Sequence, residues 1–328
     1  AFLVPRLRHT DILEWATRYI DTLNRPDAER ERFVASLQDA VRSAAVREVC
    51  AVPLRLAMAC DLYGESGEIP EDLTITSLYD TYWARRIARD RQGRRTRQGD
   101  AQAEAALALA AAVLAQSRDR LSLSVARATA DDGALHDGFA SLLSEGVVRE
   151  DGGRYEFFHQ TYAEYTIARQ LATSGSAEDL TQLRDALADP HSFLWPVARH
   201  LLMQASSTHR YRDLAEAVPT TTPEGALVHL LAARTRRSSS LLCATARTIH
   251  DHDAGLLRSV APTLADCPPE CHDAALTIVV PMIGEADVMQ ISELTRTAGA
   301  LLGRADSVVR AEHLPRALDL VQRREADV

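Results

Sequence analysis

In the stretch "YEFFHQTYAEYTIARQL", Tyr155 to Leu171, one histidine stands between a strand-like aromatic run and a helix-like one. An imidazole titrates near neutrality and can serve as acid, base, metal ligand or phosphate contact. Glu164, five residues on, could cap a helix, pair with an arginine or steer His159, and the sequence leaves all three open. A second concentration of reactive side chains is "CPPECH", where Cys267, Cys271 and His272 join Cys243, His250 and His252 as conceivable zinc ligands. Their spacing matches no standard zinc site, and the Pro-Pro between the cysteines reads as a helix start, so no metal is expected. Serines such as those of "RRSSS" sit in loop-like sequence, without the strand-turn-helix elbow that nucleophilic catalysis needs.

The composition narrows the chemistry further. All 37 basic residues are arginine; the chain has no lysine. A phosphate loop of the form G-x-x-x-x-G-K-[ST] needs its lysine to reach the outer phosphates, so this chain does not contain one. Schiff-base catalysis is excluded on the same ground. The expectation is that the chain itself is no enzyme. Five cysteines scattered over 328 residues make no disulfide framework and read as reduced thiols. The longest apolar run, "AALALAAAVLA", is far shorter than the roughly 20 residues that cross a bilayer, and no signal segment opens the chain. A cytoplasmic protein without membrane contact is expected.

The elements that must position these residues are mainly helical. "FLV", Phe2 to Val4, reads as the end of a strand, and Asp11 with Glu14 as a capping-box-like start of the first helix. A lone strand at this point suggests separation from something upstream. Helical spacing then continues through "FVASLQDAVRSAAVREV", through "PLRLAMACDLY", which starts at Pro53, and through "SLYDTYWARRIARD". An Arg/Gly/Gln-rich run, Arg85 to Asp100, closes a helical subdomain over residues 1–95.

From 96 to 174 the order is an Ala/Leu helix, the short "LSLSV", a helix near Ala126 to Asp131, the helix "ALHDGFASLLSEG", and two strands around "DGG". Asp-Gly between alternating runs is a strong hairpin signal. Three helices followed by a two-stranded ribbon give a winged-helix domain with a small β-hairpin. Residues 175–328 read as an α-helical bundle or solenoid-like region. Helix starts are expected at "SAEDL", "HSFLWPVARHLL", "TTPEGALVHLL", "CPPECHDAALTIVV" and "DSVVRAEHLPRAL". Within the helix-like run, Phe158, Tyr162, Tyr165, Ala168 and Ala172 share one face and are assigned to core.

A winged helix beside Arg85, Arg86, Arg89, Arg91, Arg94, Arg95 and Arg97 raises the alternative of a DNA-binding transcription regulator with a helical ligand or dimerisation domain. The net charge of −9 and a candidate recognition helix that carries Asp137 and Glu145 but no arginine argue against nucleic acid as the partner. A helical scaffold with no nucleotide linkage is the third reading.

Three stretches in one order carry a family resemblance. "FLVPRLRHTDILEWATRYI" resembles the passage that leaves the nucleotide-binding domain of NACHT-type signalling NTPases, the STAND class that includes NOD-like receptors and their bacterial relatives. "VREVCAVPLRLAMACDLYGESGEIPEDLTITSLYDTYW" looks like their first helical subdomain, with Val52 where an asparagine is usual. "YEFFHQTYAEYTIA" is similar to their winged-helix ending through Phe157, His159, Thr161, Tyr162, Glu164, Tyr165 and Ala168, with Ala163 in place of a glutamine. The resemblance covers residues 1–172 or so. It implies a regulatory part of a defence or signalling ATPase whose phosphate loop and magnesium-binding residues lie in an upstream nucleotide-binding domain. It also implies ADP/ATP, with Mg in the parent protein, as the cofactor, not held tightly by this chain alone. His159 would contact a phosphate of ADP and Pro53 would line the adenine side. Exchange to ATP, prompted by an unknown ligand or protein trigger, would release the closed state for self-oligomerisation.

Overall fold

The computed structural model describes residues 6–23, 25–70, 73–88, 97–116, 123–131, 133–189, 191–204 and 208–326. The expected strand from Phe2 to Val4 and the part of the arginine run at 89–96 lie outside them. The chain is mainly helical with one small antiparallel sheet, as its periodicity requires, and divides into two compact units, Ala1–Thr166 and Ile167–Val328.

The first unit opens with α1 (His9–Asp21), whose Ile12, Ala16 and Ile20 recur every fourth residue and are buried. It starts earlier than the Asp11/Glu14 pattern suggests. Asp11 is the third helical residue and its carboxylate accepts the backbone N–H of Arg8 at 3.1 Å, while Glu14 pairs with Arg18 on the exposed face. The stretch "FVASLQDAVRSAAVREV" is likewise two helices, α2 (Asp27–Ala40) and α3 (Ala44–Cys50). α4 (Pro53–Tyr63) begins at the proline, where a missing N–H costs nothing. It buries Arg55, Leu56, Met58, Ala59, Cys60 and Leu62. α5 (Ile75–Arg86) is fixed at its start by a reciprocal cap: Thr74 Oγ1 accepts from Ser77 N–H at 3.0 Å, and Ser77 Oγ accepts from Thr74 N–H at 2.9 Å.

After α5 come α6 (Arg97–Gln116), β1 (Ser124–Ala126), α7 (Arg127–Ala130), α8 (His136–Ser144), β2 (Val148–Asp151), β3 (Arg154–Phe157) and α9 (Gln160–Ser174). The hairpin turns at Gly152 and Gly153, with φ of 56° and 73°, values that glycine adopts at no steric cost. The ribbon is not two-stranded. β1, which begins at the end of the "LSLSV" segment and extends to Ala126, pairs antiparallel with β3 in the order β1-β3-β2, so Tyr155 faces both Val125 and Glu150. Along the chain the order is helix, strand, two helices and a hairpin, with the first strand paired to the hairpin's last. Period-two alternation sends Tyr155 and Phe157 inward, and Tyr155 stacks on Phe139 of α8 with centroids 4.4 Å apart. α8 lies so close to α6 that a Cβ on Gly138 would fall 2.3 Å from the carbonyl oxygen of Ala101, so only glycine fits there.

The second unit, entered along α9, contains α10 (Ala177–Leu187), α11 (Trp195–Gln204), α12 (Thr208–Glu216), α13 (Pro223–Thr235), α14 (Ser239–His252) and α15 (Ala254–Val260). These are followed by α16 (His272–Glu285), α17 (Val288–Arg304) and α18 (Ser307–Ala326). Serine, threonine and aspartate start several of them: Ser176, Thr222, Ser238 and Asp253 each accept a backbone N–H of the following turn. The "CPPECH" segment differs from expectation. Pro269 holds the preceding Pro268 in extended backbone (φ −67°, ψ 159°), Pro269–Cys271 forms a 3-10 turn closed by Cys271 N–H donating to the Pro268 carbonyl at 2.9 Å, and α16 begins only at His272. Similarly, "HSFLWPVARHLL" turns at its start and becomes helical at Trp195. Leu242, Ile249, Leu264, Leu276, Val279, Ile283, Leu294 and Leu301 form the shared core of α13 to α18. No described helix is long and apolar enough to cross a membrane.

Candidate functional site at the start of α9

The chain leaves β3 at Phe157 and enters α9 at Gln160, so His159 is the residue immediately before the helix. Its carbonyl accepts the N–H of Tyr162 at 3.2 Å and of Ala163 at 3.1 Å. Its ring Nδ1 accepts the N–H of Thr161 at 3.2 Å. The imidazole therefore fills the capping role that serine or aspartate usually takes, satisfying a donor the helix cannot satisfy itself.

A longer hydrogen-bond chain runs through the same nitrogen. Thr161 Oγ1 lies 2.9 Å from His159 Nδ1, and Tyr79 Oη of α5 lies 2.5 Å from Thr161 Oγ1. Since Nδ1 accepts the Thr161 N–H, the proton pattern that satisfies every group is Tyr79 donating to Thr161 and Thr161 donating to the ring. The ring proton is thereby assigned to Nε2. Protonating Nδ1 would break the cap. Burial holds the His159 pKa below the usual histidine value, and the nearby Arg55 guanidinium lowers it further, so the neutral ring is favoured. Among the described residues Nε2 has no hydrogen-bond partner.

Glu164, one turn further along α9, is 4% exposed. Its Oε1 accepts from the Gln160 side-chain amide at 2.9 Å. Burial pushes its pKa up to about 7, against the opposing pull of Gln160 and Arg55. Of the three roles the sequence leaves open, capping is taken by His159, and no hydrogen bond joins Glu164 to His159 among the described residues. Its electrostatic neighbour is Arg55, the third residue of α4, itself buried and two positions after Pro53. Pro53 is half-buried at the first position of that helix.

Aromatic packing holds this arrangement together. Tyr79 meets Tyr162 edge-on at 5.6 Å and Tyr165 at 5.4 Å, and Tyr82 meets Tyr162 at 5.4 Å. Tyr165 Oη donates to Asp80 Oδ1 at 2.7 Å, so both ends of the tyrosine layer are pinned to α5. Tyr162, Tyr165 and Ala168 are fully buried as expected of a core face. Phe158 and Ala172 are only half-buried, because Phe158 precedes the helix and Ala172 lies in its last turn.

No family model matches the chain, and no curated protein matches it. The site is therefore described by its own chemistry: a neutral, half-buried imidazole with one donor to spare, a buried cation, and a carboxyl that titrates near neutrality. It contains no assembled nucleophile-base pair among the described residues.

The other chemistry-capable residues are placed elsewhere. His272 Nε2 lies 3.0 Å from the Cys267 carbonyl, while His250 and His252 are exposed at the end of α14. Cys243, Cys267, Cys271 and these histidines are not gathered into a ligand set among the described residues. Arg85 donates to the Leu62 carbonyl at 2.5 Å and Arg86 pairs with Glu145 at 3.8 Å, so the two arginines of the run with described side chains make contacts within the chain. Sequence reasoning missed Arg55, Tyr79 and Asp80. Arg55 had a signal, a charge inside the apolar "PLRLAMAC"; the other two are unremarkable in sequence and acquire a role only through contacts more than 80 residues away.

Proposed function

We propose that the chain is a regulatory part of a NACHT-type STAND ATPase, and that the His159 junction couples nucleotide state to autoinhibition and oligomerisation. The observation that supports this best is the Tyr79–Thr161–His159 hydrogen-bond chain, which fixes the imidazole as neutral and leaves Nε2–H as a donor. A donor held in a known tautomer at a helix start suits an anionic oxygen, and the buried Arg55 adds positive potential beside it. The residues thus fit a phosphate group: His159 would donate to it, while Pro53 would offer an apolar edge near the start of α4. ADP would bring the charged oxygens, and ATP exchange, with Mg held by the upstream domain, would change what Nε2 faces. The closed state would then lose one of its ties, shifting the population toward an oligomer-competent form. A cytoplasmic role in signalling or defence follows from the same reading.

The test begins with the reading frame upstream of Ala1. A strand-loop-helix with G-x-x-x-x-G-K-[ST] is expected there. In the protein that includes it, His159→Ala should weaken ADP binding about tenfold or more and raise basal oligomerisation, with ATP affinity much less affected. If the loop is missing, or if ADP binding and autoinhibition survive His159→Ala unchanged, His159 is only a helix cap and the proposal fails.

A further inference from the structure

The second unit brings together three side chains that no zinc-like spacing announces. His313 of α18 points Nε2 at Asp273 Oδ1 of α16, 2.8 Å away, and a Glu312 carboxylate oxygen completes a set whose ligand atoms all lie within 4.8 Å of one another. We propose that Asp273, Glu312 and His313 bind a divalent first-row transition-metal ion, clamping α16 to α18.

Three observations carry this. The His313 side chain is 7% exposed, and outside the cluster its ring has no hydrogen-bond partner among the described residues. A polar ring buried between helices is therefore committed to this one direction, an arrangement that costs free energy unless the cluster repays it. Next, neither carboxylate pairs with an arginine among the described residues, although arginine is abundant in the chain. Arg310, on the same helix, instead donates to the carbonyls of Leu302, Gly303 and Ala305. Two carboxylates without an arginine partner among the described residues match the charge of a divalent ion.

The separations also suit an ion. Around a centre with bonds of about 2.1 Å, adjacent octahedral ligands stand about 3 Å apart and opposite ones about 4.2 Å. The Asp273–His313 pair already has the shorter spacing, and Glu312 is exposed and free to close by on the order of 1 Å. An imidazole among two carboxylates favours zinc, manganese or cobalt over magnesium or calcium, which take oxygen ligands. Water would fill the remaining positions. The ion would replace the direct His313–Asp273 hydrogen bond with two coordinate bonds, adding a cross-link between helices that already share a core.

Zn²⁺ titration of the full chain against a chromogenic chelator tests the site, after removal of adventitious metal. Asp273 and Glu312 are exposed, so Asp273→Asn and Glu312→Gln keep the fold, which circular dichroism checks. One equivalent of Zn²⁺ should bind the native chain, each variant should weaken it at least tenfold, and the midpoint of thermal unfolding should rise with Zn²⁺ in the native chain but in neither cluster variant. The doubly substituted His250→Ala, His252→Ala chain is the control for surface histidines and should bind as the native chain does. No uptake by the native chain, native affinity in both cluster variants, or loss of binding in the control would each overturn the assignment.

Discussion

In the unit that begins at Ile167, His229 of α13 places Nε2 2.9 Å from the Val218 carbonyl and His272 places Nε2 3.0 Å from the Cys267 carbonyl. Each of these two rings is satisfied by a backbone oxygen fewer than a dozen residues away, beside a core of leucine, valine, isoleucine, alanine, cysteine and methionine, whereas the His313 ring of the same unit turns to Asp273 on a helix 40 residues away. The α5–α9 junction solves the same problem differently. There Tyr79 bonds Thr161 and Tyr165 bonds Asp80 across more than 80 residues, and His159 keeps one nitrogen without a described partner. Local satisfaction makes a polar group part of the fold, because no rearrangement of distant elements can remove its partner. Long-range satisfaction makes it depend on two elements staying together, which is what a switch requires.

The largest break in that contrast should come from Tyr79→Ala. It removes the ring that meets Tyr162 and Tyr165 and the hydroxyl that starts the chain to His159. Aromatic-to-alanine changes in cores cost about 3–5 kcal/mol, and Tyr79 should fall in that range in a urea titration of the full chain. A cost under about 1 kcal/mol would mean that α5 and α9 do not rely on each other.

Removing only the hydroxyl of Tyr165 is a finer cut. Tyr165→Phe keeps the ring but takes away the donor to Asp80, and hydrogen bonds to charged groups are worth about 1.5–3 kcal/mol. Paired with Asp80→Asn in a double-mutant cycle, it should give a coupling energy on the order of 1 kcal/mol. His229→Leu offers the comparison in the other unit, where the lost bond is to a neutral carbonyl and the cost should be nearer 1 kcal/mol. Equal costs in the two units would erase the distinction between them.

The same contrast explains what could be read from the residues alone. Helices such as α4 and α13 were legible because their signals are local: Pro53 at a first position, and Thr222 before Pro223. The hairpin was legible for a similar reason, its glycines having to take positive φ. β1 was not, since Ser124, Val125 and Ala126 become a strand only when β3 offers an edge. His159 stood out by its position, but its tautomer depends on Thr161 and, through it, on a tyrosine in another helix. Asp273, Glu312 and His313 were missed because 40 residues separate their two helices and packing alone brings them together.

The pH dependence of stability should separate the two titratable groups at the junction. Glu164 has a folded pKa raised from 4.5 to about 7, so the folded state holds its proton where the unfolded chain has released it. Its contribution is full below pH 4.5 and is lost as pH rises toward 7. His159, with a folded pKa below 6.5, acts in the opposite sense: its contribution is present above pH 6.5 and is lost as pH falls through the folded value. The two slopes oppose each other in the native chain near pH 6. Glu164→Gln should remove the falling one, which reaches up to about 1.4 kcal/mol per pH unit, and expose a rise in stability with pH. Urea midpoints measured from pH 5 to 8 decide it, and an unchanged profile would show that Glu164 is ionised in the folded chain throughout.

His159 itself should have the smallest effect on stability. As a cap it contributes about 1 kcal/mol, so His159→Ala should lower stability by that amount, while His159→Asn, whose side-chain oxygen can accept from Thr161, should restore most of it. Asparagine has no counterpart at the distal Nε2 position. The pair of substitutions therefore divides the residue into its two nitrogens: alanine removes both the cap and the distal donor, whereas asparagine removes the distal donor alone. If, in the nucleotide-binding protein proposed above, His159→Asn is as stable as the native protein yet loses ADP affinity as His159→Ala does, the work of the residue lies at Nε2. Native ADP affinity in His159→Asn would place all of it at Nδ1, and the junction would then be built like the carbonyl-bound histidines of the second unit, part of the fold and nothing more.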